Sequence, residues 1–351
     1  MAHKTAWWVP ILLVGVYPLF ASTYYVGTCK SGSFPTISAA VDSPSVAPGS
    51  TINVCPGNYQ EQVIISKPLT LHGITANGSS GVYINAPATL AETESAVLIQ
   101  ALAPMVWVTA GPVNIQDISV VLTEGTSPCP SPQLVGFYYA SGASGTLNRV
   151  EFQATFDDLL GDDKACPGYG IWVENANPAP TSVTISNSFS DGGILAAALE
   201  PLPDIRLKVT ITGNQALANP WGGDAGIFVS QVSGTVTGNF IRPRRGPKPY
   251  FGINDAAPNV TVSGNTIVGD DLGDAAGTQS GVGVLIDADG AIVKPNKITG
   301  LEVGIDLGCH SAVVTGNTIM GAFTGLGDPL ASFTGSNSFF TTQENVRSSC
   351  P

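Results

Sequence analysis

Residues 209–215 read VTITGNQ, and the phrase returns as TVTGNFI at 235–241, VTVSGNTI at 260–267, IVKPNKI at 292–298 and VVTGNTI at 313–319, with VTISNSF at 183–189 as an earlier copy. Asn187, Asn214, Asn239, Asn265, Asn296 and Asn317 then fall at matching positions, 21 to 31 residues apart, the period of a solenoid. A second phrase, Gly followed by alternating apolar residues, interleaves with the first: GFYYA from Gly136, GIWVE from Gly170, GILAA from Gly193, GIFVS from Gly226, GIND from Gly252, GVLID from Gly283 and GIDLG from Gly304. Each repeat reads as strand, Asn bend, strand, loop, strand. β-branched residues dominate and helical spacing is absent. Stacked parallel coils would place Ile and Val in interior ladders, and Asn suits a bend that tolerates αL backbone and lets stacked amides bond one another. The expected fold is all-β, a single-stranded right-handed parallel β-helix.

The N-terminal sequence supplies an end for that stack. FPTISAAV at 34–41 sets Ile37, Ala40 and Val41 on one face of a short helix that would cap the first coil. TINVCPGNYQEQVIISKPLTLHG at 51–73 holds three strand-like pieces between PGNY and SKP turns, one full coil. The expected layout is a signal peptide over 1–22 and a β-helix domain over 23–351, with a capping segment at 23–50, coils over about 51–330 and a C-terminal cap at 331–351. The signal reading rests on a single Lys followed by an apolar run from Ala6 to Ala21, against the alternative of an uncleaved anchor. It predicts a secreted, cell-surface or periplasmic protein with no membrane contact after signal removal.

Composition narrows the class further. With 41 Gly, 26 Pro and 11% charged residues, the chain is neither coiled coil nor disordered. Fourteen Lys plus Arg against 26 Asp plus Glu, a net charge of −12, speak against nucleic acid as a partner. Six cysteines in an exported chain predict three disulfides, Cys29 with Cys55, Cys129 with Cys166 in neighbouring loops, and Cys309 with Cys350 by elimination. No Cys-x-x-Cys occurs and His3, His72 and His310 are scattered, so zinc is not expected.

The run TISAAVDSP…PGSTINVCPGNYQEQVIISKPLTLHG resembles the opening of the pectin-lyase-like superfamily, and the Gly-Ile and Gly-Asn phrases resemble its β-helix repeats. That resemblance implies the fold over most of the chain and leaves the activity open, because the superfamily spans lyases, esterases, hydrolases, epimerases, tailspikes and adhesins. GNYQE at 57–61 resembles the first signature of pectin methylesterases, but the motifs carrying that family's two catalytic Asp are missing, and Gln116 and Asp117 read as ordinary coil positions. Polygalacturonase, pectate lyase and alginate epimerase signatures are likewise incomplete. No intact catalytic motif marks an enzyme. Were it one, it would be a lyase or hydrolase of acidic glycans.

Placed by the resemblance, the loop that follows the strand after the Asn, together with the outward face of the Gly-Ile strand, forms the substrate cleft. RPRRGPKPYF at 242–251 lies there, and GDDLGDAAGTQSG at 269–281 in the next coil, so Arg242, Arg244, Arg245 and Lys248 would face Asp270 and Asp271 as candidate catalytic or charge-pairing groups. No cofactor is required by this reading; Ca²⁺ would be taken by Asp157, Asp158, Asp162 and Asp163. Strand alternation turns Tyr138, Trp172, Leu195, Phe228, Asn254, Leu285 and Asp306 outward. With Trp221 from a neighbouring loop, Tyr138, Trp172, Phe228 and Asn254 are the expected glycan contacts, since aromatic faces pack on sugar rings. Two outcomes stay open: an exposed ladder that binds polysaccharide, or one buried under loops in a surface or adhesin-like scaffold without a glycan cleft.

Overall fold

A computed structural model describes residues 21–76, 79–123, 132–155, 168–199, 206–218, 225–243, 250–269, 281–328 and 335–347. Three long sheets run along the chain. Sheet A begins at Thr23–Val26 and ends at Ala312–Val314; sheet B runs from Gly57–Gln60 to Ser338–Phe340; sheet C runs from Val63–Ile65 to Glu344–Arg347. Among the described residues sheets A and B hold eleven strands each and sheet C twelve, one of them the short antiparallel Thr93–Glu94. The chain visits A, B and C in turn, and each strand pairs in parallel with its equivalents one coil before and one coil after. Two short antiparallel pairs stand outside this pattern: Thr75–Ala76 with Ser79–Ser80, and Thr93–Glu94 with the start of Ala101–Val108. This is the right-handed parallel β-helix that the repeat predicts.

The interior follows from strand alternation. Ile115, Leu147, Ile185, Ile211, Val236, Val262, Val293 and Val314 are aligned partners in successive coils of sheet A, and all are inaccessible to solvent. Each such side chain contributes about 1.5–3 kcal/mol of burial energy. At the N-terminal end the helix Ile37–Asp42 buries Ile37, Ala40 and Val41 in the same core and packs against the strands Thr23–Val26, Ser50–Val54 and Val63–Ile65. Thr36 caps it locally, accepting from the Ala39 amide at 3.1 Å. Glu61 accepts from the Ile37 and Ser38 amides, both at 2.8 Å. The Glu of GNYQE therefore holds a helix start, and Tyr59 of the same phrase donates to the Cys55 carbonyl.

Cys29 and Cys55 are bonded as expected, with Cα atoms 5.6 Å apart. Cys309 is also disulfide-bonded, while its expected partner Cys350 and the pair Cys129 and Cys166 lie outside the described residues.

The bend between sheets A and B carries an asparagine ladder. Asn214, Asn239, Asn265, Asn296 and Asn317 are buried, and each Nδ2 donates to Oδ1 of the next Asn at 2.9–3.0 Å and to a carbonyl of the preceding coil. The glycines before four of them, Gly213, Gly238, Gly264 and Gly316, hold φ between 65° and 72°, where a Cβ is costly. Asn187 does not join the ladder as the sequence suggests. Register pairs Ser186 with Thr212, so Asn187 matches Gly213 and takes the αL bend itself (φ 52°), while Ser188 occupies the ladder slot and donates its amide to Asn214 Oδ1. An Asn tolerates αL almost as well as Gly, which is why the two phrases align by eye one residue out of step.

Candidate functional site

The expected outward ladder is one continuous column on sheet C. Trp107, Tyr138, Trp172, Leu195, Phe228, Asn254, Leu285 and Asp306 are paired in register through successive coils. Their neighbours Val173, Ile227 and Val229 point inward with no exposure, which fixes the phase.

The column is not uniformly open, and here the exposed-ladder expectation is corrected. Tyr138 is 1% exposed, Trp172 0% and Leu195 2%. They form a second apolar cluster outside the solenoid, packed by Trp107, Tyr169, Phe228 and Val97. Tyr138 and Tyr169 meet Trp172 edge-on, with centroids 6.5 and 4.9 Å away. The cover comes from residues 93–100, a hairpin emitted one strand earlier. Its anchor is Glu174, two residues after Trp172 and 1% exposed. That carboxylate accepts from Ser95 Oγ (2.6 Å), the Ala96 amide (2.9 Å), Tyr138 Oη (2.6 Å) and Trp172 Nε1 (3.2 Å). Burial, then the Glu174 charge and hydrogen bond, push the Tyr138 hydroxyl far above its ordinary range, so it stays a donor. Four donors occupy this carboxylate. The ladder's one described acid in this half is held in structure.

Beyond Leu195 no described segment covers the row. Phe228, Asn254, Leu285 and Asp306 are each partly exposed. The side-chain oxygen of Asn254, between Phe228 and Leu285 in register, has no protein hydrogen-bond partner. At the next outward positions stand Ser230 and Asp287, the latter with a 59% exposed side chain. His310 lies 3.9 Å from Asp287 and 3.5 Å from Asp289, and Ser311 holds Asp289 through its amide (2.8 Å) and hydroxyl (3.0 Å). Directly behind Asn254, Asp255 points into the solenoid between Val229 and Ile286 with no exposure; Oδ1 accepts from the Ala257 amide and Oδ2 has no partner. Burial lifts this carboxyl to about 7, only partly offset by the Ala257 bond.

The charged loop is divided by the structure. Arg242 is not in a loop beside sheet C: it belongs to the strand Phe240–Pro243 of sheet B, paired with Leu217 and exposed. Arg244, Arg245, Lys248, Asp270, Asp271, Trp221, Asp157, Asp158, Asp162 and Asp163 lie outside the described residues. Among the described residues no group of three or more His, Cys, Asp or Glu is placed to hold a metal ion.

Gln116 and Asp117 are not ordinary coil positions either. Asp117 takes the αL bend between sheets A and B (φ 57°), is 4% exposed, and receives Arg149 Nε and Nη2 at 2.7 Å each and Gln116 Nε2 at 2.8 Å, with His72 Nε2 at 3.4 Å. Burial alone would raise its pKa, but the Arg149 and Gln116 bonds and the Arg149 and His72 charges outweigh it and hold the carboxyl below its ordinary range. A concavity of about 430 Å³ opens beside it, lined by Arg149, Glu151, Asn187 and Phe189. Sequence reading missed this cluster because its members come from different coils.

No protein-family model matches the chain, and no curated protein matches it. Among solved structures, a lacto-N-biosidase from Eubacterium ramulus superposes with a TM-score of 0.54 at 13% identity, covering 93% of this chain and 68% of that one. The A-module of a mannuronan C-5 epimerase from Azotobacter vinelandii gives 0.49 at 15% identity, covering 89% of this chain and 92% of the other. At the first of these identities the shared property is the fold, a right-handed parallel β-helix.

Proposed function

We propose that this is an exported β-helix protein that engages extracellular or cell-wall polysaccharide on the outer face of sheet C, from Phe228 to Asp306. The observation carrying this reading is the orphaned Asn254 oxygen set between two partly exposed apolar side chains in one column. A hydroxyl-rich ring fits such a surface: its C–H face covers Phe228 or Leu285, and a ring hydroxyl donates to the buried amide oxygen once the Asn254 side chain turns outward. An unpaired, largely desolvated acceptor costs about 1–3 kcal/mol, and a ligand hydroxyl would recover part of it. The lacto-N-biosidase sharing this fold supports a glycan as the ligand class. Export is supported by the apolar N-terminal run and the Cys29–Cys55 disulfide, and no described helix is long and apolar enough to cross a membrane.

Of the described acids near the column, Glu174 is fully engaged and Asp255 faces inward, while Asp287 and Asp306 stand at the open face. Affinity electrophoresis in gels cast with homogalacturonan, alginate, xylan or β-glucan tests the reading. Retardation by at least one polymer, lost in Asn254→Leu and Phe228→Ala, is the expected result. Equal mobility of all three proteins in every gel would overturn it.

A further inference from the structure

The outer face of sheet B, one sheet away from the ladder, carries a column of different chemistry. Glu151, Phe189, Gln215, Phe240, Thr266 and Lys297 are aligned partners in six successive coils. Phe240 is 40% exposed, Gln215 and Lys297 are exposed, and Phe189 is half-buried. Phe240 stands open on this strand face and Phe189 shows part of its ring, so the two present aromatic surface in one column for a partner to cover. They flank a single Gln and stand two strand spacings apart, about 9.6 Å. That matches the span of two β-1,4-linked pyranose rings, with the Gln215 amide between them to meet ring hydroxyls.

At Glu151 and Phe189 the column borders the concavity beside Asp117. There the regular ladder has stopped, and the bend carries Arg149 and Asn187 in αL conformation in place of glycine. Arg149 uses three of its five N–H groups, two on Asp117 and one on Asn148 Oδ1 at 2.9 Å, leaving two for a ligand. Glu151 accepts from Gln153 Nε2 (2.6 Å) and Ser119 Oγ (3.1 Å) and retains lone pairs for further donors. Planar polar groups around an aromatic edge are the equipment for gripping a sugar ring. Because Arg149 is neutralised by Asp117 while Glu151 is unopposed, and the chain carries −12 overall, the site favours an uncharged glycan over a polyuronate.

We propose that sheet B bears a second, independent carbohydrate site: an uncharged β-1,4-linked glycan lies along the solenoid axis over Phe189, Gln215 and Phe240, with one terminal ring in the Arg149–Glu151–Asn187 concavity. Cellohexaose, mannohexaose and chitohexaose, titrated calorimetrically into the full chain, provide the probes. Phe240→Ala and Gln215→Glu change exposed side chains and should leave the melting temperature within a degree or so of the parent. The expected result is saturable binding of at least one hexaose, weakened about tenfold or more by either substitution and unchanged by Asn254→Leu. Binding lost in Asn254→Leu but retained in Phe240→Ala and Gln215→Glu would place the glycan on sheet C and overturn the second site. Absence of heat with all three hexaoses at about 5 mM would overturn it as well.

Discussion

The N-terminal and C-terminal halves of the sheet C column share one register and one alternation, yet they solve the problem of an outward-facing apolar row differently. From Trp107 to Leu195 a hairpin from residues 93–100 lies over the row, and the buried carboxylate of Glu174 is used to fasten it. From Phe228 to Asp306 nothing described covers the row, an amide oxygen lacks a partner, and acids stand at the edge. The contrast teaches that a β-helix face is not a site by virtue of its position. A site requires that the protein leave its own side chains incompletely satisfied there.

Breaking the closed half should have the largest effect. Glu174→Leu strands four donors from Ser95, Ala96, Tyr138 and Trp172, and should cost about 4 kcal/mol in urea unfolding. Glu174→Gln, which keeps an acceptor, should cost less than half of that.

The next effect concerns Asp255 and has a pH sign. Its folded carboxyl sits near 7 against an ordinary 3.8, so the folded state holds the proton more tightly than the unfolded one. The associated stability is complete below the unfolded value and is lost as pH rises through about 7. Asp255→Val, which restores the apolar column of Val229 and Ile286, should therefore stabilise the protein by about 2 kcal/mol at pH 8 and by little at pH 4. A gain equal at both pH values would show that the carboxyl is not neutral in the fold.

Smaller still is the expected gain from Asn254→Leu, about 1 kcal/mol through removal of an orphaned acceptor, together with loss of glycan retention. A stability loss instead would mean that the Asn254 oxygen has an internal role. At the hairpin tip, Ile99 is 80% exposed with φ 51°, a conformation that disfavours a β-branched residue. Ile99→Gly should stabilise by ~0.5 kcal/mol, a small shift in thermal midpoint.

Much of the fold was legible because its signal is periodic. The Gly-Ile phrases locate sheet C, alternation gives the outward column from Tyr138 to Asp306 in its observed register, and Ile37, Ala40 and Val41 identify the buried face of the helix. What escaped was everything that depends on contacts between coils. Nothing in Ser95 or Ala96 announces that they bind a Glu 78 or 79 residues away. Asp117 reads as a coil residue until Arg149, a full turn later, is brought to 2.7 Å. Asn187 misled for the opposite reason: αL suits Asn as well as Gly, so local sequence could not separate the bend from the ladder slot beside it. Arg242 reads as the start of the loop between two repeat phrases, but the strand runs on to Pro243, and a proline is tolerated at the end of a strand.

The division of the sheet C column is best tested by hydroxyl-radical footprinting of the folded protein, with each residue's oxidation rate normalised to its rate in urea. The structure predicts strong protection of Tyr138 and Trp172 and clearly faster oxidation at Phe228 and Leu285, with the latter pair slowed when a retained polysaccharide is added. Oxidation of Tyr138 and Trp172 at the rate of Phe228 would contradict the closed half, and the reading of the open half as the glycan face would fall with it.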